Sequence, residues 1–294
     1  MIKVNNITIA GFVPAIMGIR NSYASWDKTD SEYCTEYDII KIEVNELYST
    51  GIWCYDNVVF GDNDRKLAER LVKAGEPHCK FRRMIVVWCD ITAPLYWWKQ
   101  FDTYKIGTVA NSESTMHNIC DSEFNIGCFS STTSLNHTEA FQAVIVELNK
   151  LRRLYIHCKE KNDKEGMAKW FDEIIKLLPE SYNQKRTVML NYSVLAGIYQ
   201  QRKHHKLDEW RTFCDIIEMF PHSWLFITNK SGYTEWLEDA KVRHQAKVMR
   251  KNGKTIKEIS DEFGVSEAII INWIGVEVDG DNTSERHDEG EEHS

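Results

Sequence analysis

No stretch of the chain keeps about 18 consecutive apolar residues, so no membrane-spanning helix is expected. The opening residues, MIKVNNITIAGF, lack a long apolar core and a small-residue cleavage site, so a secretory leader is not expected either. The eight cysteines lie scattered at 34, 54, 79, 89, 120, 128, 158 and 214, with no Cys-x-x-Cys pair. That scatter suits reduced thiols in a cytoplasmic protein. His117, Cys120 and Cys128 are the nearest approach to a metal set, and their irregular spacing is too weak to expect a metal. There is no Gly-rich phosphate loop, no nucleophile elbow and no His/Cys arrangement for covalent catalysis. Internal repeats are also missing.

What is present is 294 residues at 43% apolar composition, enough for one large domain and a small appendage. The net charge of −8 is unevenly spread. Residues 241–275 hold seven Lys/Arg against four Asp/Glu, whereas 276–294 hold one Arg against eight acids. The remainder is mildly acidic and shows no broad nucleic-acid footprint. The expected division is therefore a body over 1–230, a small helical module over 238–275 and a disordered acidic tail over 276–294.

Within the body, KVNNITIAGF (3–12) has β character and VPAIMGI (13–19) can open a short helix. YDIIKIEVNEL (37–47) alternates as a strand, and RMIVVWCDI (83–91) reads as a buried one. NDRKLAERLVKAG (63–75) opens on a good N-cap and ends on Gly75, and Pro94 starts an aromatic helix. Residues 139–160, 165–178, 184–203 and 206–219 read as helices, the first with Phe141, Val144, Ile145, Leu148, Leu151 and Tyr155 on one face. The fold class is α+β. Residues 121–138 lack periodicity and read as a loop or a mobile lid. GIRNSYASWDKTDS (18–31) is a polar-aromatic loop, either a site wall or an ordinary turn cluster.

The run WWKQFDTYKIGTVANSESTMH (97–117) sets hydroxyls, amides and Lys105 close behind two tryptophans. It is either a solvated loop or a segment that holds a nucleotide. Tyr96, Trp97 and Trp98 can stack on a ring, though successive helix aromatics are more often core plus rim. In order, residues 71–117 offer a helix, a turn with His78, a strand, Ala93-Pro94, an aromatic helix and the polar run.

That order resembles the flavin-dependent (alternative) thymidylate synthases. Their Ala-Pro-led helix ends in Gln-x-x-Arg-His-Arg-x-x-Ser-x-Asn-Glu-x-Ser-x-Arg-Tyr. Here Ala93, Pro94 and Gln100 match in place, while Thr103, Tyr104 and Lys105 stand at the Arg-His-Arg positions. Thr108 takes the first Ser position. After one inserted residue Asn111 matches the Asn and Ser114 the second Ser, with Ser112 or Glu113 at the Glu. Met116 and His117 replace the closing Arg-Tyr. Residues 181–223 resemble the later Arg-x-x-Leu-Pro helix and its successor, with Arg186 at the nucleotide-binding Arg. His222 lies near the terminal His of the family, and Glu218 stands where an Arg is expected.

The resemblance covers about residues 60–225 and implies a mixed sheet with long helices. It implies a homotetramer with sites between subunits, FAD as cofactor, and NADPH and folate as co-substrates. The implied reaction is one-carbon transfer to C5 of a pyrimidine nucleotide, dUMP or a relative. It assigns Gln100 and Ser114 as catalytic, and Gln100, Asn111, Ser114 and Arg186 as nucleotide-binding. His78, Thr103, Lys105 and His222 fall on the cofactor side. The lost arginines remove charge-assisted contacts, each typically worth ~1.5–3 kcal/mol. Either the pocket is retuned, with Arg82, Arg83, Arg202, Lys203, His204, His205 or Lys206 compensating, or the chemistry is lost. RKHHK (202–206) also reads as a plain surface turn.

Residues 240–274 resemble the helix-turn-helix of resolvase-type and transposase-type DNA-binding modules. Thr255 caps a helix carrying Ile256, Ile259 and Phe263, residues 264–266 turn, and Ile270, Trp273 and Ile274 bury the next helix. Only Asn272 on that second helix suits base readout, while Lys247, Arg250, Lys251, Lys254 and Lys257 suit backbone contact. DNA binding through 240–275, or a small packing unit, are both open. The alternative to an enzyme is a catalytically silent member of this fold that binds DNA or a protein partner.

Overall fold

The computed structural model describes residues 2–33, 38–45, 48–56, 58–130, 133–136, 138–227, 246, 249–263 and 270. Two compact units are present, Met1–Lys230 and Ser231–Ser294.

Alternation builds the sheet of the first unit. In β1 (Lys3–Ala10), Val4, Ile7 and Ile9 are buried while Lys3, Asn5 and Asn6 are exposed. A bulge at Asn6, whose φ is 51°, accounts for the break in that alternation. β3 (Asp38–Asn45) and β4 (Tyr48–Cys54) form an antiparallel pair, and β4 lies parallel to β1. β6 (Val86–Pro94) runs antiparallel to β1 on its other side. Beyond it come β8 (Asn183–Asn191) and the edge strand β7 (Val109–Ser112), giving the order β3-β4-β1-β6-β8-β7. A separate short pair joins β2 (Glu32–Tyr33) to β5 (Val58–Val59). The sheet is mixed and the fold α+β.

Three expectations need correction here. The run 83–91 is not buried throughout: Val87, Cys89 and Ile91 are buried, but Trp88 on the other side is 41% exposed. Residues 184–203 are not one helix. Their first half is β8, with Gln184, Val188 and Leu190 buried and Lys185 and Thr187 exposed, and only Tyr192–Arg202 forms a helix, α8. Period-2 burial and β-branched Thr187 and Val188 suit a strand paired on both edges. For 121–138, expected as a loop or a mobile lid, the lid alternative fails in the irregular described part, where Phe124 and Phe129 are buried beside Phe141 and Leu148.

α1 (Phe12–Asn21) and α2 (Asp62–Ala74) lack side-chain caps of their own. Their first amides are met from outside. Asp56 accepts from Gly11 N at 2.8 Å and Val13 N at 3.1 Å, and Asp30 accepts from Asn63 N and Asp64 N. The N-cap expected at the start of 63–75 is thus a carboxylate from another loop, and Gly61 makes room for it. A Cβ there would stand 2.2 Å from the Asp30 carbonyl oxygen. Asp64 in turn accepts from Arg20, Thr29 and Ser31, so residues of the 18–31 stretch, itself largely exposed, fasten α1 to α2 through a buried Arg20–Asp64 pair.

Buried rings fill the covered side of the sheet: Phe12 on α1, Trp97 and Trp98 on α3 (Leu95–Phe101), Tyr192 on α8, and Trp210 on α9 (Asp208–Glu218). α4 (Thr115–Asn118) and α5 (Thr133–Asn136) are short. α6 (Glu139–Glu160) and α7 (Lys164–Leu177) pack on each other around Leu148 and Ile174, the first with the expected boundaries and the second one residue earlier than expected. The uncovered side carries Trp53, Thr8, Trp88, Met189 and Val109 in one register row across five strands.

In the second unit, α10 (Ile256–Phe263) starts at a capping box: Glu258 N donates to Thr255 Oγ1, and Thr255 N donates to Glu258 Oε2. Ala246, Ile259 and Ile270 are buried together. The expected turn at 264–266, Asn272, Trp273, Ile274 and the acidic tail lie outside the described residues.

Candidate functional site

The polar run of 97–117 has a defined course. Tyr104 donates to Gln201 and accepts from Arg202 at the end of α8. Gly107, at φ 79°, comes so close to the start of α8 that a Cβ would stand 2.8 Å from Asn191 Nδ2. The segment therefore lies along α8 before it becomes β7 beside β8.

Arg186 sits inside the sheet opposite Ile91 on one side and Ser112 on the other. Its guanidinium lies 4.3 Å from the centre of the Trp98 ring. Nε donates to Gln184 Oε1 at 3.0 Å, and Nη1 donates to Asp102 Oδ1 at 2.8 Å. The Gln184 amide is itself fixed, donating to Glu113 O. Glu113 N bonds to Lys185 O, which sets Ser114 just past this anchored point. Ser114 is half-buried at the start of α4, and its side chain makes no cap bond.

Gln100 is close by through a different set of contacts. Its Oε1 accepts from Arg202 Nη1 at 3.0 Å and from Trp210 Nε1 at 2.9 Å. Both partners are obligate donors, so the amide orientation is fixed by chemistry and its NH₂ is the group left for a ligand. The Arg202 guanidinium lies beside the rings of Trp210 and Tyr104, 4.8 and 5.7 Å from their centres. His205, in the turn that follows, is held below the ordinary imidazole range by burial and then by the charges of Arg202, Arg211 and Lys206. Lys203 is committed elsewhere, to Asp215 and Glu218.

The other assigned residues divide. Asn111 pairs with Thr187 on the outer side of the sheet, opposite to the side that Arg186 takes. Ser112 and Ala110 are the β7 residues that share the Arg186 side. Thr103 Oγ1 donates to Gln100 O, and Lys105 is exposed with no ion pair among the described residues. His78 is exposed in a 3-10 turn whose Glu76 accepts from Ser193 on α8. His78 and the 103–108 segment thus both adjoin α8. His222 is buried, at 4.9 Å centre to centre from both Phe12 and Phe60. Burial pushes its imidazole down to about 3, against a hydrogen bond at the Val58 backbone.

Asp102 beside Arg186, and Arg202 and Trp210 beside Gln100, were not singled out for these places by motif. RKHHK carried the only signal for Arg202, and its 102-residue separation from Gln100 hides the contact. Trp97 and Trp98 are fully buried core rings; Trp98 serves the site only as the surface under Arg186. In the second unit Lys254 is paired with Glu262, and Arg250 donates to Lys254 O.

The chain resembles solved structures in fold. A flavin-dependent thymidylate synthase, ThyX, of Helicobacter pylori, complexed with FAD and dUMP, matches at a TM-score of 0.54 and 15% identity, over 77% of this chain and 98% of that one. A second structure of that enzyme with FAD and dUMP matches at 0.52 and 15%, over 78% and 98%. No family model and no curated protein matches the sequence. The body has the flavin-dependent thymidylate synthase fold, with a sequence far removed from those structures.

Proposed function

We propose that this protein is a divergent flavin-dependent thymidylate synthase-like enzyme, acting at C5 of a pyrimidine nucleotide such as dUMP. The observation that carries the proposal is the Arg186 guanidinium, held by Trp98, Gln184 and Asp102 on a fold whose solved examples hold FAD and dUMP. The Arg186 guanidinium suits a phosphate, since Trp98 and Gln184 hold it in place before a ligand arrives. The outward NH₂ of Gln100 donates to a pyrimidine carbonyl, and Arg202 holds the amide in that orientation. The Ser114 hydroxyl supplies a further donor. Asn111 enters this reading only from a neighbouring subunit or through its backbone.

The donors of the 103–108 segment fit FAD in kind. Lys105 provides a cation with no ion pair among the described residues for its phosphates, and His78 and Thr103 provide further donors. Thr108 Oγ1, at the first motif Ser position, is buried with no hydrogen-bond partner among the described residues. Bound flavin would supply the redox step, with NADPH and a folate one-carbon donor as co-substrates, while these side chains bind, orient and exclude water. His222 stays outside this set, as a neutral imidazole in an aromatic core. A homotetramer belongs to the same reading, supported by the apolar row left uncovered on the sheet.

Arg186→Ala tests the nucleotide half directly. Calorimetric titration with dUMP is expected to show binding by the parent protein and none by the variant. Equal affinity in both would take Arg186, and with it this placement of the nucleotide, out of the account.

A further inference from the structure

Among the described residues Arg186 is charge-paired and Arg202 is not. Around Arg186 three sides are fixed. Trp98 lies under its face, and Trp98 Nε1 donates to Gln184 O at 2.9 Å, so that surface does not shift. Gln184 takes the Nε edge and is anchored through Glu113. The remaining Nη edge is where an incoming anion has to dock, and there the Asp102 carboxylate stands at 2.8 Å. The Asp102 side chain is 52% exposed, against 16% for Arg186. It sits at the C-cap of α3, the end of a helix where carbonyl dipoles disfavour an acid, and Arg186 is its one side-chain partner among the described residues.

Resting on the nucleotide reading above, we propose that Asp102 is a specificity-determining residue: its carboxylate holds the phosphate-facing edge of Arg186 and must be displaced by the ligand. The exchange is one of ion pairs, with no covalent step. Asp102 turns toward solvent, which its exposure allows, while the half-buried and clamped guanidinium stays in place. A phosphomonoester brings about −1.5 to −2 charges and three acceptor oxygens, so it outcompetes a single-contact monocarboxylate. A nucleoside without phosphate has nothing to exchange and leaves the pair closed. The site then takes nucleoside monophosphates and ignores nucleosides, at the cost of some affinity for the former. Thr103, Tyr104 and Lys105 replace a more basic triplet in the resembled motif, so the cluster already carries few cations. An acid beside one of them sharpens the requirement for a dianion.

The test is calorimetric titration of the full-length protein with dUMP and with deoxyuridine, in the parent, Asp102→Asn, Asp102→Ala and Arg186→Ala. Freeing the edge of one partly exposed ion pair is expected to tighten dUMP binding by about three- to tenfold in both Asp102 variants. Deoxyuridine binding should be the same in the parent and the Asp102 variants. Thermal unfolding of Asp102→Asn serves as the folding control. If the parent binds dUMP through Arg186 and the Asp102 variants bind it equally or more weakly, the proposal is overturned while the nucleotide reading stands. Tightening of deoxyuridine to the same degree would also overturn it, since that effect would not pass through phosphate. Absence of dUMP binding in every protein would remove the nucleotide reading, and Asp102 gating with it.

Discussion

An imidazole enclosed between Phe12 and Phe60 has no water to stabilise its charged form, and this sets how pH acts on the fold at the scale of one residue. Folded, His222 titrates at about 3, and unfolded it would titrate near 6.5. Between those values the unfolded chain carries a proton that the folded chain refuses. Its contribution is therefore complete above about pH 6.5 and declines as pH falls toward 3, by about 1.4 kcal/mol per unit. His222→Asn removes the titration, and Asn accepts the left-handed backbone found there at φ 52°. The parent should lose more stability than the variant between pH 7 and 5 in denaturant titrations. Parallel losses would contradict the assignment. Burial of this residue was hidden in the sequence, where a His near a family motif reads equally well as a ligand-binding group. Gln100 was legible by position, and its orientation was not, because Arg202 and Trp210 arrive from about a hundred residues away.

Elements with a strong period of their own were legible. The apolar stripe of α6 runs from Glu139 to Glu160 as the side-chain spacing requires. Residues 184–203 show the limit of that reasoning. NQKRTVMLN satisfies a helix or a strand by composition, and its place between β6 and β7 decides the matter. Arg186 consequently points inward from a strand, onto Trp98, where a helix would have aimed it differently. Helix starts follow a similar logic, since α1 and α2 borrow their caps from Asp56 and Asp30, distant in sequence. Asp56→Ala exposes the amides of Gly11 and Val13 and is expected to cost about 1–2 kcal/mol. A lower denaturation midpoint at unchanged slope would show this. An unchanged midpoint would mean that water replaces the carboxylate at no loss.

For the whole molecule, the α+β body and its fold were legible from the order of motifs, while the residues that complete the site were not. Gln100, Arg186 and Ser114 came from the resemblance, whereas Asp102, Arg202 and Trp210 came from packing. The sheet explains the division. Its covered side gathers Arg186, Trp98 and the ends of α3 and α8, and its open side carries Asn111 and the apolar row from Trp53 to Val109. A chain so distant in sequence keeps the architecture by keeping its buried rings, and it keeps a nucleotide site only if the few remaining cations suffice. The visible absorbance spectrum of the full-length protein decides that most directly, recorded after incubation with FAD and dUMP and removal of the unbound excess. The account predicts oxidised-flavin absorbance that stays with the protein and shifts when dUMP is present; a colourless protein after the same treatment would contradict it.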